Sequence, residues 1–78
     1  MSVIFTSFEE NVFLSIICKN TELFTDLEKK FYEEYPEYYL GNNIFINNGK
    51  QIIRNKTLEE NNIHNSDIIS FINPQKTK

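Results

Sequence analysis

Between Thr21 and Pro36 the chain carries one amphipathic stripe, and that stripe leaves few folds open. Phe24, Leu27, Phe31 and Tyr35 recur at i, i+3, i+7 and i+11, the spacing that brings side chains onto one face of an α-helix. Glu28, Lys29, Tyr32 and Glu33 are expected on the opposite, solvent side. Pro36 ends the segment because it pushes Tyr35 out of the α region and has no N–H to donate. Two starts are open. Thr21 can serve as the cap, or Thr25-Asp26-Leu27-Glu28 can form a capping box in which hydroxyl and carboxylate satisfy orphan N–H groups reciprocally.

The segments on either side of the stripe are rich in β-formers, so strands have to cover this helix. Residues 3–8 and 12–18 predict an antiparallel hairpin turning at Glu9-Glu10-Asn11. Setting Ile4 and Thr6 inward with Leu14, Ile16 and Cys18 sends Phe5, Phe13, Ser15 and Ile17 to the other face, which is then unusually apolar. Asn43-Ile44-Phe45-Ile46 predicts a third strand after a loop over residues 37–43. Asn48-Gly49 supplies the positive-φ pair of a tight hairpin turn into a short strand, Lys50-Gln51-Ile52-Ile53. Thr57-Leu58-Glu59-Glu60 is a second capping box, opening one helical turn before Asn61-Asn62, with Ile63 expected beneath it. The last strand spans Ile68 to Ile72 with Ile69 and Phe71 inward, and Pro74 stops it. This order predicts an α+β fold of the β-grasp type over residues 1–73, a mixed sheet of four to five strands wrapped around one helix. A flexible tail, 74–78, is expected to follow.

At 78 residues the chain has room for one domain. A chain of this size buries roughly 60–65% of its unfolded surface, so its core is modest, and the seven Phe supply large areas for it. The formal charge of −3, with eight scattered basic residues against eleven acidic ones, argues against nucleic-acid and acidic-membrane partners. A single cysteine excludes an internal disulfide framework and a thiolate metal cage within one chain, which fits a reducing, cytoplasmic setting. Neither a charged leader before an apolar segment nor an apolar run of bilayer length is read.

Gly49-Lys50-Gln51-Ile52, Lys56-Thr57-Leu58 and Asn62-Ile63 stand at mutual spacings that resemble the ubiquitin family, which carries Gly-Lys-Gln-Leu, Arg-Thr-Leu and Asn-Ile there. Phe24, Leu27 and Phe31 match the three apolar positions of the family's helix, and Ile4-Phe5 matches an Ile-Phe of its first strand. The likeness covers about residues 2–72 and needs one extra residue near Asn47-Asn48. It implies binding through an apolar patch on the exposed side of the sheet. Carried over by position, the patch becomes Phe45 in the third strand, Ser70 and Ile72 in the last, and Glu9 in the first turn; Phe5 and Phe13 extend it. Family members that become conjugated end in Gly-Gly. Here Asn73-Pro74-Gln75-Lys76-Thr77-Lys78 stands instead, so the expectation is a domain that is bound rather than attached.

Other chemistry finds little footing. His64 lies in a polar turn and Cys18 is expected inward on a central strand, where a thiol acts as a small hydrophobe. The pairs Glu9-Glu10, Glu33-Glu34 and Glu59-Glu60 read as solvated charge, since adjacent helical residues point apart. Of the tyrosines at 32, 35, 38 and 39, Tyr35 and one of Tyr38 or Tyr39 are expected to close the end of the core. The reading is therefore a non-enzymatic protein-interaction module, with no cofactor, metal or small-molecule substrate, that docks a protein partner through Phe5, Phe13, Phe45, Ser70 and Ile72. The alternatives are a modifier with a processed Gly-Gly tail and a regulatory domain of a larger enzyme. Ras-binding domains share the fold but use a basic second strand, which residues 13–18 lack.

Overall fold

The computed structural model describes residues 1–7, 11–39, 41 and 43–72. The expected turn residues Glu9 and Glu10 and the tail 73–78 lie outside them. Strands β1 (Ser2–Ser7) and β2 (Val12–Ile17) form the predicted hairpin, helix α1 (Phe24–Glu34) follows, and a 3₁₀ turn occupies Pro36–Tyr38. Strands β3 (Ile44–Asn47), β4 (Lys50–Gln51) and β5 (Ile68–Ile72) complete the elements among the described residues. They make one 5-stranded sheet in the order β2-β1-β5-β3-β4. The pair β1–β5 is parallel and the other pairs are antiparallel. This is the α+β, β-grasp arrangement, with the first and last strands adjacent in the sheet and one helix against its inner face.

The apolar stripe of α1 meets the sheet as expected: Phe24, Leu27 and Phe31 are fully buried. Phe31 sits at the centre of an aromatic cluster, its ring centroid 5.1 Å from Phe5, 5.7 Å from Phe45 and 5.2 Å from Phe71. Tyr38 closes the far end, 4.8 Å from Phe71, with Tyr35 packed 5.3 Å from Phe31. Tyr39 stays exposed.

Two expected faces are reversed. Val3 and Phe5, not Ile4 and Thr6, point inward from β1, because Phe5 lies across from Leu14 and Ile69 and fills the space under α1. In β3, Phe45 points inward opposite Phe71. The phase of β2 is as expected, with Val12 and Ile16 buried and Phe13, Ser15 and Ile17 exposed. Cys18 is buried, but it follows the edge strand β2 rather than lying in a central one.

Neither predicted cap starts the helix. Its N-cap is Leu23, with no side-chain hydrogen bond, because backbone carbonyls take that role. The N–H groups of Phe24 and Thr25 donate to the carbonyls of Lys56 and Arg54 at 3.0 and 3.2 Å, so residues 54–56 satisfy donors that a capping box would otherwise serve. Glu28 cannot cap because it is committed elsewhere. It is buried rather than solvent-facing, with Oε1 accepting from Arg54 Nε at 2.7 Å.

The turns follow their residues. Asn48 and Gly49 have φ of 53° and 78° between β3 and β4, the primed-turn geometry that matches strand twist. The second capping box is formed: Glu60 N–H donates to Thr57 Oγ1 at 3.0 Å and Thr57 N–H to Glu60 Oε1 at 2.9 Å. Asn62 follows at φ 58° and Ile63 is buried beneath the turn. The short strand is two residues rather than four, since Ile52 turns into the core after its N–H donates to the Phe45 carbonyl at 2.8 Å.

Leu27→Ala is expected to cost about 2–5 kcal/mol as a core cavity, and Phe31→Ala about 3–5 kcal/mol, both read as lowered urea midpoints. Thr57→Ala, which removes one half of the formed capping box, is expected to cost about 1 kcal/mol by the same measurement.

Candidate functional site

The side of the sheet turned away from α1 is built by the alternation of its strands. One register row crosses the whole sheet: Phe13 pairs with Thr6, Thr6 with Ser70, Ser70 with Ile46 and Ile46 with Gln51. A second row sets Ser15 beside Ile4 and Ile4 beside Ile68, and at the other end Ile44 stands opposite Ile72. Ile17 pairs with Ser2 at the margin. No strand position on this side carries an ionisable side chain. Isoleucines alternate instead with hydroxyls and one amide.

Several of these apolar groups stand well into solvent. Phe13 is 69% exposed, Ile17 82% and Ile68 56%. Ile72 is exposed as well, and Ile4, Ile44 and Ile46 are half-buried. Exposed apolar side chains gathered on one side of a sheet, with hydroxyls between them, make this side the candidate interaction surface.

The expected docking residues divide across the sheet. Phe13, Ser70 and Ile72 lie on the outer face, with Ser70 central between β1 and β3. Phe5, at 0% exposure, and Phe45, at 2%, are core residues and cannot be touched by a partner. Their places outside are taken by Ile4 on β1 and by Ile44 and Ile46 on β3, which the sequence reading had not assigned. The signal that would have found them is the pairing itself: once Ile69 and Phe71 are set inward, their neighbours Phe5 and Phe45 must be inward too. Glu9 lies outside the described residues.

A second cluster of chemistry-bearing groups lies on the flank of α1. Glu28 accepts from Arg54 Nε at 2.7 Å and from Tyr32 Oη at 2.7 Å. Asn43 Nδ2 donates to Tyr32 Oη at 2.8 Å and to the Tyr38 carbonyl at 2.7 Å. The guanidinium of Arg54 also donates to the Asn43 carbonyl at 2.6 Å and lies 5.6 Å from the Phe45 ring centroid. Burial, together with the bond to the Glu28 carboxylate, pushes the Tyr32 phenol up to about 12. Glu28 in turn raises the Arg54 guanidinium above its ordinary range. Every charge here is paired internally, so the cluster ties the helix to residues 43 and 54 rather than offering groups to a ligand.

The remaining candidates are isolated. Burial, aided by the carboxylate of Glu22, pushes the Cys18 thiol up and disfavours the nucleophilic thiolate. His64 is exposed and its backbone N–H donates to Asp67 Oδ2 at 2.8 Å. Among the described residues no group of three or more His, Cys, Asp or Glu is placed to hold a metal ion, and no helix is long and apolar enough to cross a membrane.

Phe45→Asp is expected to unfold the chain, because a buried carboxylate among aromatic rings has no partner, whereas Ile68→Asp leaves the far-UV circular dichroism spectrum unchanged. The Tyr32 phenol generates a second expectation. Its folded-state value is raised, so its contribution to stability is intact below the ordinary tyrosine value of about 10 and is lost as the pH climbs through about 12. Phenolate absorbance should show a late-titrating group that Tyr32→Phe removes. A scan against protein-family models matched none of them, and a search of curated proteins returned no relative.

Proposed function

We propose that this chain is a ubiquitin-like interaction module that binds a protein partner through the outer face of its sheet, without catalysis of its own. The observation that carries the reading is the make-up of that face. Ser70 stands between Thr6 and Ile46 across the sheet and Ile68 and Ile72 along β5, with Ile4 and Ile44 diagonal to it, and no charge interrupts them. Removing such a surface from water is favourable at roughly 25 cal/mol per Å², and hydroxyls at fixed positions supply the directional contacts that select one partner over another.

Support for the ubiquitin-like part of the reading comes from the quoted stretches. Gly49 sits in the hairpin turn, Thr57 opens the formed capping box, and Ile63 fills the core after Asn62 at positive φ. These four matching residues thus have a physical task in this chain. Where the resemblance implies a histidine in the last strand and a valine two residues on, the face presents Ser70 and Ile72, so its partner is expected to offer aliphatic or aromatic groups rather than acidic ones.

Site-directed photocrosslinking in cells tests the proposal. A photoreactive residue at Ser70 is expected to trap a partner, one at Glu33 on the exposed side of α1 is not, and adding Ile68→Asp to the first is expected to abolish the adduct. Trapping from position 33 but not from position 70, or adducts indifferent to Ile68→Asp, would place the working surface elsewhere.

A further inference from the structure

We infer that β2 is a self-pairing edge, and that two copies of this chain associate antiparallel through it about a two-fold axis at Ser15. The hydrogen-bond pattern of the hairpin carries the argument. Met1 and Cys18 exchange both backbone bonds, at 3.0 and 2.8 Å, so alternate β2 residues, Ile16 and Leu14, face β1. The N–H and C=O groups of Phe13, Ser15 and Ile17 therefore point away from the sheet. At Phe13 both are met by the Tyr35 hydroxyl, at the long distances of 3.4 and 3.3 Å. Among the described residues no such contact covers Ser15 or Ile17.

Edges are ordinarily protected by brevity, charge, proline or a bulge. The opposite edge, β4, is only two residues long and begins with Lys50. Strand β2 lacks them: Val12–Ile17 is six residues, uncharged and free of proline, and its one cover among the described residues is the Tyr35 hydroxyl at Phe13.

The occupant is a second copy because the strand is complementary to itself. Rotation about Ser15 sets Ser15 opposite its own symmetry mate, where the two exchange N–H···O bonds, and sets Phe13 opposite Ile17 of the other copy, whose N–H and C=O take the place of the Tyr35 hydroxyl on Phe13. These two side chains, the most exposed apolar groups of the strand, then form an aromatic–β-branched pair on both sides of the axis. No like charges meet along the strand. The outer faces of both copies join into one continuous surface. The inference rests on the strand edge and stands independently of what docks on the outer face.

Sedimentation equilibrium from micromolar to millimolar concentration tests it. The expected result is a rise from the monomer mass to twice that mass. Amide exchange at Ser15 and Ile17 should slow as the dimer fills. Ser15→Pro removes an outward N–H and is expected to hold the chain at the monomer mass; Ile17→Lys, at a position 82% exposed, is expected to do the same with every backbone group retained. Ile68→Asp, which alters the outer face away from the edge, is expected to leave the dimer intact. A monomer mass at millimolar concentration overturns the inference. So does a dimer that survives both edge variants or is lost with Ile68→Asp, since the contact would then lie on the face.

Discussion

The packing of Phe31 against the sheet is the interaction on which the rest of the structure depends. Its ring meets Phe5 from β1, Phe45 from β3 and Phe71 from β5, so one side chain of α1 joins strands that are distant in sequence. In a domain this small there is no second core to take over. The strand faces follow from that cluster: once Phe5 and Phe45 are drawn inward, Ile4, Ile44 and Ile46 are placed outside. The apolar outer surface is thus the complement of the aromatic interior, set by the same alternation.

Where the sequence was legible, one periodicity dominated. The stripe of Phe24, Leu27 and Phe31 could be read because its other positions are polar, and the Asn48-Gly49 turn because few residues accept positive φ. The β1 and β3 segments were harder for a physical reason. Ile44-Phe45-Ile46 is apolar at every position, and Val3-Ile4-Phe5 likewise, so a period of two gives no sign of which set is buried. The apolar face was therefore legible as a property of the sheet, while its membership was not. Glu28 shows the opposite failure. It lies four residues after Phe24 and three before Phe31, hence on the buried face, but its charge suggested solvent; the partner that makes its burial tolerable, Arg54, comes from a loop that no local pattern connects to it.

That ion pair and the backbone bonds beside it have a common role. Arg54 binds Glu28 and the Asn43 carbonyl, while its own carbonyl and that of Lys56 accept from the first N–H groups of α1. The irregular segment between β4 and the Thr57 turn therefore holds both the start and the flank of the helix. Asn61 secures the segment from the other side, accepting from the Ile53 N–H at 2.9 Å and donating to the Ile53 carbonyl at 2.9 Å. Polar bonds of this kind at the margin of the core add direction to aromatic contacts that, taken alone, tolerate sliding.

An outer sheet surface without an ionisable group on its strands adds no local charge to the field of the chain, whose net value of −3 resides on its other surfaces and turns. For the docking proposed above, salt would therefore act through that net charge alone rather than through pairs at the contact. Its affinity would be set chiefly by how well the isoleucine relief is matched and dried, which is a matter of residence time.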